Sequence, residues 1–334
     1  MASDQPILAL TAGDPCGIGP EVILEALPAV PSRARMRLVV IGDLAVFAHA
    51  AKRLRRGLPS WRVSRVQDLA SLGAGPLTFL DCGHACRFIP GRPSQAAGRA
   101  SLAYLDLALA LWRRQRLHAL VTGPVTKWAI RRVRPAFLGQ TEYLAQAMGV
   151  REVVMLFVSE RWRVALLTRH IPLRRVPQRL DRRLLRSALR LTADALTREF
   201  QIPHPTLAVC GLNPHAGEGS SASEEHAVIR PVLRALRRQG VACDGPFAAD
   251  GLFASRQADG YDAIVCAYHD QGLIPFKMAS RDRGCQLSVG LPVVRTSPDH
   301  GSALDIAGRG IANPGSMRYA LALAIELTQR RARC

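Results

Sequence analysis

Lysine is almost absent from this chain of 334 residues, and aromatic residues make up only 5%. Lysine occurs at positions 52, 127 and 277 alone, so arginines carry nearly all of the formal net charge of +19. These arginines lie in scattered pairs without interleaved aromatic residues, which is unlike the stacking groove of a nucleic-acid-binding protein. The net charge by itself keeps nucleic-acid binding as an alternative, but the pattern favours a protein with no nucleic-acid partner.

Long uncharged apolar runs are also missing. A transmembrane helix needs about 18 or more consecutive apolar residues, and no such stretch occurs. No basic segment precedes the first apolar run, so no secretory signal is predicted. We therefore expect a cytoplasmic protein with no membrane partner and reduced cysteines. The pair Cys82 and Cys86 is a weak metal motif, because no second pair accompanies it.

What the sequence does contain is an alternation of short apolar runs with longer amphipathic segments. Runs such as Ile7–Thr11 and Ala119–Thr122 are apolar at nearly every position, which is typical of strands covered on both faces. This alternation predicts an α/β fold with a largely parallel sheet. We expect a first domain of residues 1–135 plus about 301–334, and a second domain of residues 136–300.

Three of the nine histidines, His170, His215 and His269, each follow an apolar run that is typical of a strand. Sites in open α/β sheets form at the carboxyl ends of strands, so three such imidazoles are expected to converge. Three imidazoles that leave one coordination position open suit a divalent metal. The sequence therefore predicts a metal site in the second domain.

Candidate catalytic residues accompany these histidines. Asp270 follows His269 directly, and either Asp270 or Asp250 is suited to orient an imidazole or to relay a proton. Lys277 is a rare lysine in an arginine-rich chain, which indicates a need for a compact point charge. The early glycines do not have the G-x-G-x-x-G spacing, so no cofactor-binding residue is assigned.

Three long motifs resemble the 4-hydroxythreonine-4-phosphate dehydrogenase family of vitamin B6 synthesis. They are NPHAGEG at 213–219, YHDQGLIPFK at 268–277 and RTSPDHGSALDIAGRG at 295–310. The resemblance extends over nearly the whole chain. It implies two α/β/α domains with a central cleft, as in isocitrate and isopropylmalate dehydrogenases, and a homodimer whose sites use both subunits.

The resemblance also implies an activity. A decarboxylating dehydrogenase that acts on a CH–OH group would convert 4-phosphohydroxy-L-threonine to 3-amino-2-oxopropyl phosphate. The implied cofactors are NAD or NADP and a divalent metal, with zinc favoured over cobalt, manganese or magnesium. The implied metal ligands are again the three histidines, and Lys277 and Arg295 match positions that bind a small anionic substrate.

The chain departs from the family pattern at two substrate-binding positions. In Gly139–Glu142 (GQTE), Thr141 is retained but Gln140 replaces the usual histidine, and Gln286 replaces an asparagine. Glutamine carries no charge, so the protein has one potential cation fewer for binding the phosphate group of the substrate. Threonate or erythronate 4-phosphate and the cis-dihydrodiol dicarboxylate of terephthalate breakdown are therefore alternative substrates. A non-catalytic ligand-binding relative is a further alternative, which the intact histidines disfavour.

Overall fold

The structure is a computed structural model that describes residues 5–30, 36–65, 77–84, 87–114 and 116–332. The chain forms two compact units. The first consists of Met1–Arg151 with Leu291–Cys334, and the second of Glu152–Gly290. Strands and helices alternate in both units, which confirms the predicted α/β class.

The first unit has a fully parallel sheet of six strands within the described residues. The strands are β1 Ile7–Thr11, β2 Arg37–Gly42, β3 Arg62–Arg65, β4 Leu77–Asp81, β5 Ala119–Thr122 and β12 Val294–Pro298. Their order across the sheet is β3-β4-β2-β1-β5-β12. All five residues of β1 are buried, as its apolar composition predicts for a strand covered on both faces.

The described residues of the first unit form six α-helices. They are α1 Gly19–Ala26, α2 Leu44–Arg53, α3 Gln95–Arg113, α4 Lys127–Arg131, α5 Gln140–Ala147 and α11 Gly315–Arg331. Ser94 caps α3, because its hydroxyl accepts a hydrogen bond from the backbone N–H of Ala97 at 3.1 Å. A Cβ at Gly98 would lie 2.2 Å from the carbonyl oxygen of Ala129, so glycine permits the close approach of α3 and α4.

The second unit has a mixed sheet of six strands in the described part of the chain. They are β6 Val154–Ser159, β7 Arg163–Leu166, β8 Thr206–Cys210, β9 Ala242–Phe247, β10 Ala263–Cys266 and β11 Gly284–Val289, in the order β11-β6-β7-β10-β8-β9. The pairs β11–β6 and β6–β7 are antiparallel. The four neighbours β7, β10, β8 and β9 are parallel, so their carboxyl ends lie along one edge.

The helices of the second unit are α6 Val176–Arg179, α7 Arg182–Arg198, α8 Arg230–Arg237, α9 Ala249–Ala254 and α10 His269–Ser280. Phe276 of α10 is fully buried, and its ring lies 5.8 Å from that of Phe157 in β6. Among the described residues, no helix has the length and apolar character needed to cross a membrane.

The unit boundaries lie at 151/152 and 290/291 rather than at the expected 135/136 and 300/301. The reason is long-range packing. Phe137 is buried against Leu105 and Ile130 of the first unit, and Tyr143 of α5 packs on the same cluster. Strand β12 pairs with β5, which places residues around Arg295 in the first unit as well.

Candidate active site

The three predicted metal ligands follow three neighbouring parallel strands of the second unit. His170 follows β7, His269 follows β10 and His215 follows β8, and these strands are adjacent in the sheet. The imidazoles of His170 and His269 lie together, with ring centroids 5.7 Å apart. His215 instead lies beside Glu218, with Nε2 3.8 Å from the carboxylate oxygen Oε1.

Asp270 directly contacts one of these imidazoles. Its Oδ1 lies 2.6 Å from Nδ1 of His269, at the first residue of α10. A carboxylate that accepts the Nδ1 proton fixes the tautomer and leaves Nε2 to act as a ligand. The predicted role of Asp270 in orienting an imidazole therefore has a geometric basis.

The loop that carries His215 has a strained backbone and is held by a buried carboxylate. His215 and Ala216 both have left-handed backbones, with φ of 50° and 53°. Glu225 is 1% exposed, and its Oε1 accepts hydrogen bonds from the backbone N–H groups of Leu212 at 2.6 Å and Asn213 at 2.8 Å. Burial alone would raise the pKa of Glu225, but these hydrogen bonds together lower it below its ordinary value.

Gln271 connects the ends of two of the strands that precede the histidines. Its Nε2 donates to the carbonyl oxygen of Gly211 at 2.6 Å, and its Oε1 accepts from the backbone N–H of Ala267 at 2.7 Å. The β10–β8 ladder pairs Val265 with Val209 and goes no further. The side-chain amide of Gln271 therefore connects β10 and β8 beyond their last backbone pair. At this point the two backbone segments continue toward His269 and His215.

The donor chemistry of this edge fits a divalent metal. Imidazole nitrogen is a preferred ligand of zinc and of related transition ions. Within the described residues, no group of three His, Cys, Asp or Glu side chains is already arranged to hold an ion. The structure brings His170 and His269 together and leaves His215 with Glu218. Cys82 is a free thiol of the first unit, and Cys86 lies outside the described residues, so its motif stays untested.

The other predicted residues of the second unit lie at different depths. Asp250 is exposed in the first turn of α9, which follows β9, so it belongs to the same sheet edge as the histidines. Lys277 is exposed on α10. Gln286 lies within β11 and is 4% exposed, and its Nε2 donates to the hydroxyl of Ser288 at 3.1 Å.

The first unit holds a buried arginine between two hydroxyls. Arg295 of β12 is 3% exposed, and its guanidinium donates to Oγ1 of Thr122 at 2.6 Å and to Oγ1 of Thr141 at 3.2 Å. Gln140 precedes Thr141 at the start of α5, and its Nε2 donates to the carbonyl oxygen of Gly123 at 3.1 Å. The structure therefore brings together Gln140, Thr141 and Arg295, which were all predicted to bind substrate.

Two residues that hold the loops beside the histidines, Gln271 and Glu225, were not among the site residues predicted from the sequence. Gln271 lies inside the motif that includes His269, so its position was a usable signal, although its partner Gly211 is far away in the sequence. Glu225 lies outside the recognised motifs and is recognisable only from its contacts with Leu212 and Asn213.

Comparison with known proteins places this arrangement in a family. The sequence profile described as "Pyridoxal phosphate biosynthetic protein PdxA" matches residues 34–324. A 4-hydroxythreonine-4-phosphate dehydrogenase of Chromobacterium violaceum is 43% identical over 326 residues, which cover 97% of each chain. The chain belongs to the PdxA family.

Solved structures agree with this membership. The crystal structure of a 4-hydroxythreonine-4-phosphate dehydrogenase from Klebsiella pneumoniae matches with a TM-score of 0.82 and 30% identity, covering 98% of this chain and 99% of that one. A terephthalate 1,2-cis-dihydrodiol dehydrogenase from Burkholderia xenovorans matches with a TM-score of 0.62 and 31% identity, covering 96% and 98%.

Membership in the PdxA family confirms two expectations drawn from the sequence. The chain is a dehydrogenase that acts on a CH–OH group, and the nucleic-acid alternative is not favoured. An isocitrate dehydrogenase from Methylococcus capsulatus matches with a TM-score of 0.51 at 15% identity, which supports the predicted relationship of the folds. The family implies an NAD-linked reaction and a divalent metal.

Proposed function

We propose that this PdxA-family chain oxidises 4-phosphohydroxy-L-threonine with NAD or NADP and releases carbon dioxide to give 3-amino-2-oxopropyl phosphate. Curated relatives of nearly full coverage that carry the name 4-hydroxythreonine-4-phosphate dehydrogenase support this substrate. The observation that carries the proposal is the position of His170, His215 and His269 after three adjacent parallel strands. Active sites of α/β proteins usually lie at the carboxyl ends of parallel strands, which is where these histidines lie.

The three histidines are the proposed ligands of the divalent metal. When bound, the metal would act as a Lewis acid on the substrate hydroxyl and on the oxygen that gains charge during decarboxylation. Three imidazoles favour zinc, with cobalt, manganese and magnesium as alternatives. Asp270 supports this role, because its contact with Nδ1 of His269 leaves Nε2 as the nitrogen that can bind a metal.

The reaction also requires proton transfer near the histidines, at the carboxyl ends of the parallel strands of the second unit. NAD or NADP, when bound, accepts the hydride that leaves the carbinol carbon. The proton of the hydroxyl must go to a nearby base, and Asp250 and Asp270 are the proposed acceptors because both lie at the carboxyl edge of the second unit. Lys277 is proposed to act beside them, as a cation for a substrate anion and as a proton donor to the product.

Each unit, taken by itself, offers a cation that is proposed to bind a substrate anion. In the first unit, Thr122 and Thr141 hold the buried guanidinium of Arg295 in a fixed orientation. A pre-oriented guanidinium binds carboxylate or phosphate in a bidentate manner. In the second unit, Lys277 supplies an exposed ammonium group. Gln140 and Gln286 are proposed to contribute hydrogen bonds without charge.

One observation favours a second substrate. The Nε2 of Gln140 already donates to the carbonyl oxygen of Gly123, so this residue provides no cation for a phosphate group. The similar structure from Burkholderia xenovorans is a dehydrogenase for a terephthalate cis-dihydrodiol. A dicarboxylate of that kind, and threonate or erythronate 4-phosphate, are therefore the alternative substrates. A homodimer with shared sites and a cytoplasmic location stay predictions.

The direct test is reduction of NAD and NADP by purified, metal-loaded protein with each candidate substrate. We expect the highest kcat/KM with 4-phosphohydroxy-L-threonine and equal release of carbon dioxide and reduced cofactor. Efficient turnover of the terephthalate dihydrodiol alone would overturn the proposed substrate and favour the alternative.

The proposed metal ligands have a matched control. His215→Ala should abolish metal-dependent turnover and lower metal affinity, whereas His226→Ala changes an exposed histidine that follows no strand end. The ligand assignment would be wrong if both variants retained the metal affinity of the wild type in an equilibrium competition with a chelator.

A further inference from the structure

The turn that carries His215 has a backbone unlike any other in the described residues. Five successive residues, 215–219, have positive φ angles between 46° and 81°. Elsewhere in the described part of the chain, positive φ occurs only at single, separated positions. His215, Ala216 and Glu218 carry a Cβ atom, and a left-handed backbone is disfavoured for such residues. The turn therefore needs contacts from the surrounding chain to hold it in this conformation.

Glu225 supplies such contacts from the start of the short π-helix Glu225–Ile229. Besides the backbone N–H groups of Leu212 and Asn213, which donate to Oε1, the side-chain Nδ2 of Asn213 donates to Oε2 at 2.9 Å. Both carboxylate oxygens therefore bind the two residues that lead into the turn. A buried carboxylate is tolerated only when it is hydrogen-bonded in this way, so the carboxylate and the loop depend on each other.

The turn also packs directly on this carboxylate. A Cβ added at Gly217 would lie 2.7 Å from Oε2 of Glu225 and 2.7 Å from Oγ of Ser223, which is too close for either contact. Gly219 has a nearly equal φ of 79°, but a Cβ there would meet no described atom within 4 Å. Glu225 therefore limits the space at Gly217 and leaves Gly219 unaffected.

We propose that Glu225 is a positioning residue for His215. Its carboxylate holds residues 212–213 before the turn and contacts Gly217 within it, so the left-handed backbone of His215 lies between two fixed points. The direction in which the imidazole leaves the backbone is set by that conformation. The inference rests on the proposed role of His215 as a metal ligand, and Glu225 acts through this histidine.

The first test is the affinity of the full chain for Co²⁺, measured by competition with a chelator. Glu225→Gln replaces one carboxylate oxygen with an amide donor, which opposes Nδ2 of Asn213. We expect Kd for Co²⁺ to rise about 10–100-fold, the usual effect of losing a group that orients a metal ligand. Glu224→Gln is the matched control and should change Kd much less, because a glutamine oxygen can still accept from Nδ2 of Asn213, as Oε2 of Glu224 does at 2.7 Å.

A second pair of variants leaves Glu225 intact. Gly217→Ala forces a Cβ toward the carboxylate, whereas Gly219→Ala places a Cβ in open space. The two glycines have φ angles of 81° and 79°, so the substitutions carry a similar backbone cost. We expect Gly217→Ala to raise Kd for Co²⁺ at least about tenfold more than Gly219→Ala does.

Relief of the backbone strain provides a readout that a merely structural role would not move. Ala216→Gly removes a Cβ from a left-handed residue, and glycine adopts positive φ readily. We expect little change in Kd when Glu225 is present, because the turn is already held. In Glu225→Gln, the same substitution should recover affinity by about fivefold. This non-additivity is the coupling that a double-mutant cycle measures.

Amide hydrogen exchange of the metal-free protein separates this inference from the proposed function. In Glu225→Gln, the backbone amides of Leu212 and Asn213 should lose protection, because a neutral oxygen is a weaker acceptor than a carboxylate. Glu224→Gln should leave both amides protected. This readout needs neither turnover nor a bound metal.

A rise in Kd in Glu225→Gln with recovery in the Ala216→Gly double variant would support the proposal. Provided that His215→Ala weakens Co²⁺ binding, equal Kd in Glu225→Gln and Glu224→Gln, equal Kd in the two glycine variants, or no recovery would overturn it. If His215→Ala does not weaken binding, the proposed ligand set fails instead. Unchanged exchange at Leu212 and Asn213 in Glu225→Gln is then the result that overturns the role of Glu225.

Discussion

Replacement of Gln271 by methionine tests whether the strand ends beside the histidines are held by one side chain. The substitution keeps the approximate volume but removes the hydrogen bonds to Gly211 and Ala267. The N–H of Ala267 is then left without its acceptor in a residue that is 0% exposed. The carbonyl oxygen of Gly211, also a buried residue, loses its donor as well. With a cost of about 1–3 kcal/mol for each of these two groups, we expect local destabilisation of about 2–6 kcal/mol.

Amide hydrogen exchange measures this effect directly. Since 1.4 kcal/mol corresponds to a tenfold change in an equilibrium constant, protection in residues 263–271 should fall by roughly 30-fold or more. Gln257→Met changes an exposed glutamine of the same unit and is the control. Metal affinity should also fall about 10–100-fold, the usual effect of losing a residue that orients metal ligands.

Gln271→Glu separates the two hydrogen bonds. The carboxylate still accepts from the N–H of Ala267 but no longer donates to the carbonyl oxygen of Gly211. We expect Ala267 to keep most of its protection while metal affinity falls. If Gln271→Met matched Gln257→Met in both exchange and metal affinity, the reasoning about this side chain would be refuted.

Three further predictions follow from the structure. Arg295→Gln removes the cation held by Thr122 and Thr141, so KM for an anionic substrate should rise about 10–100-fold, as expected for a lost charge-assisted contact; an unchanged KM would contradict this role. Glu225 has a depressed folded pKa, because its hydrogen bonds outweigh the opposing effect of burial. Its contribution to stability is therefore present above its ordinary pKa of 4.5 and lost as the pH falls through the folded pKa. Glu225→Gln should lower Tm at pH 7 and reduce the loss of Tm below about pH 4.5, and an identical acid profile would argue against it. Phe276→Ala removes a fully buried ring that packs on Phe157 and should destabilise the second unit by about 3–5 kcal/mol in denaturant unfolding, whereas a loss below about 1 kcal/mol would contradict the packing.

The sequence predicted the position of the histidines because their signals are local. Each of His170, His215 and His269 follows a short apolar run, and the carboxyl ends of parallel strands share an edge. The order β7-β10-β8 was not predictable in the same way, because it depends on pairing between segments far apart in the chain. Pairing of β7 with β10 is what places the imidazoles of His170 and His269 5.7 Å apart.

The boundaries between the two units could not be predicted from the amino-acid composition along the chain. No linker or charge block marks residue 151 or residue 290, so the sequence carries no local signal for either boundary. The structure extends the first unit because Phe137 fills a cluster with Leu105 and Ile130. Buried contacts of this kind have no local pattern in the sequence.

The contacts of Arg295 and Glu21 were also beyond the sequence. Family resemblance indicated that Arg295 binds an anion, but only the fold shows that Thr122 and Thr141 fix its guanidinium. Glu21 follows a proline at the start of α1, where an acidic residue is favourable for the helix itself. Only the fold shows that Oε1 of Glu21 accepts a hydrogen bond from the backbone N–H of Gly308, a residue far away in the sequence.

The most direct test of the central claim is simultaneous measurement of reduced cofactor and carbon dioxide from 4-phosphohydroxy-L-threonine. The wild-type protein, loaded with zinc or another divalent metal, should produce the two in equal amounts, and removal of the metal by a chelator should stop both. Reduction of NAD or NADP without carbon dioxide, or no reduction by metal-loaded protein, would contradict the account.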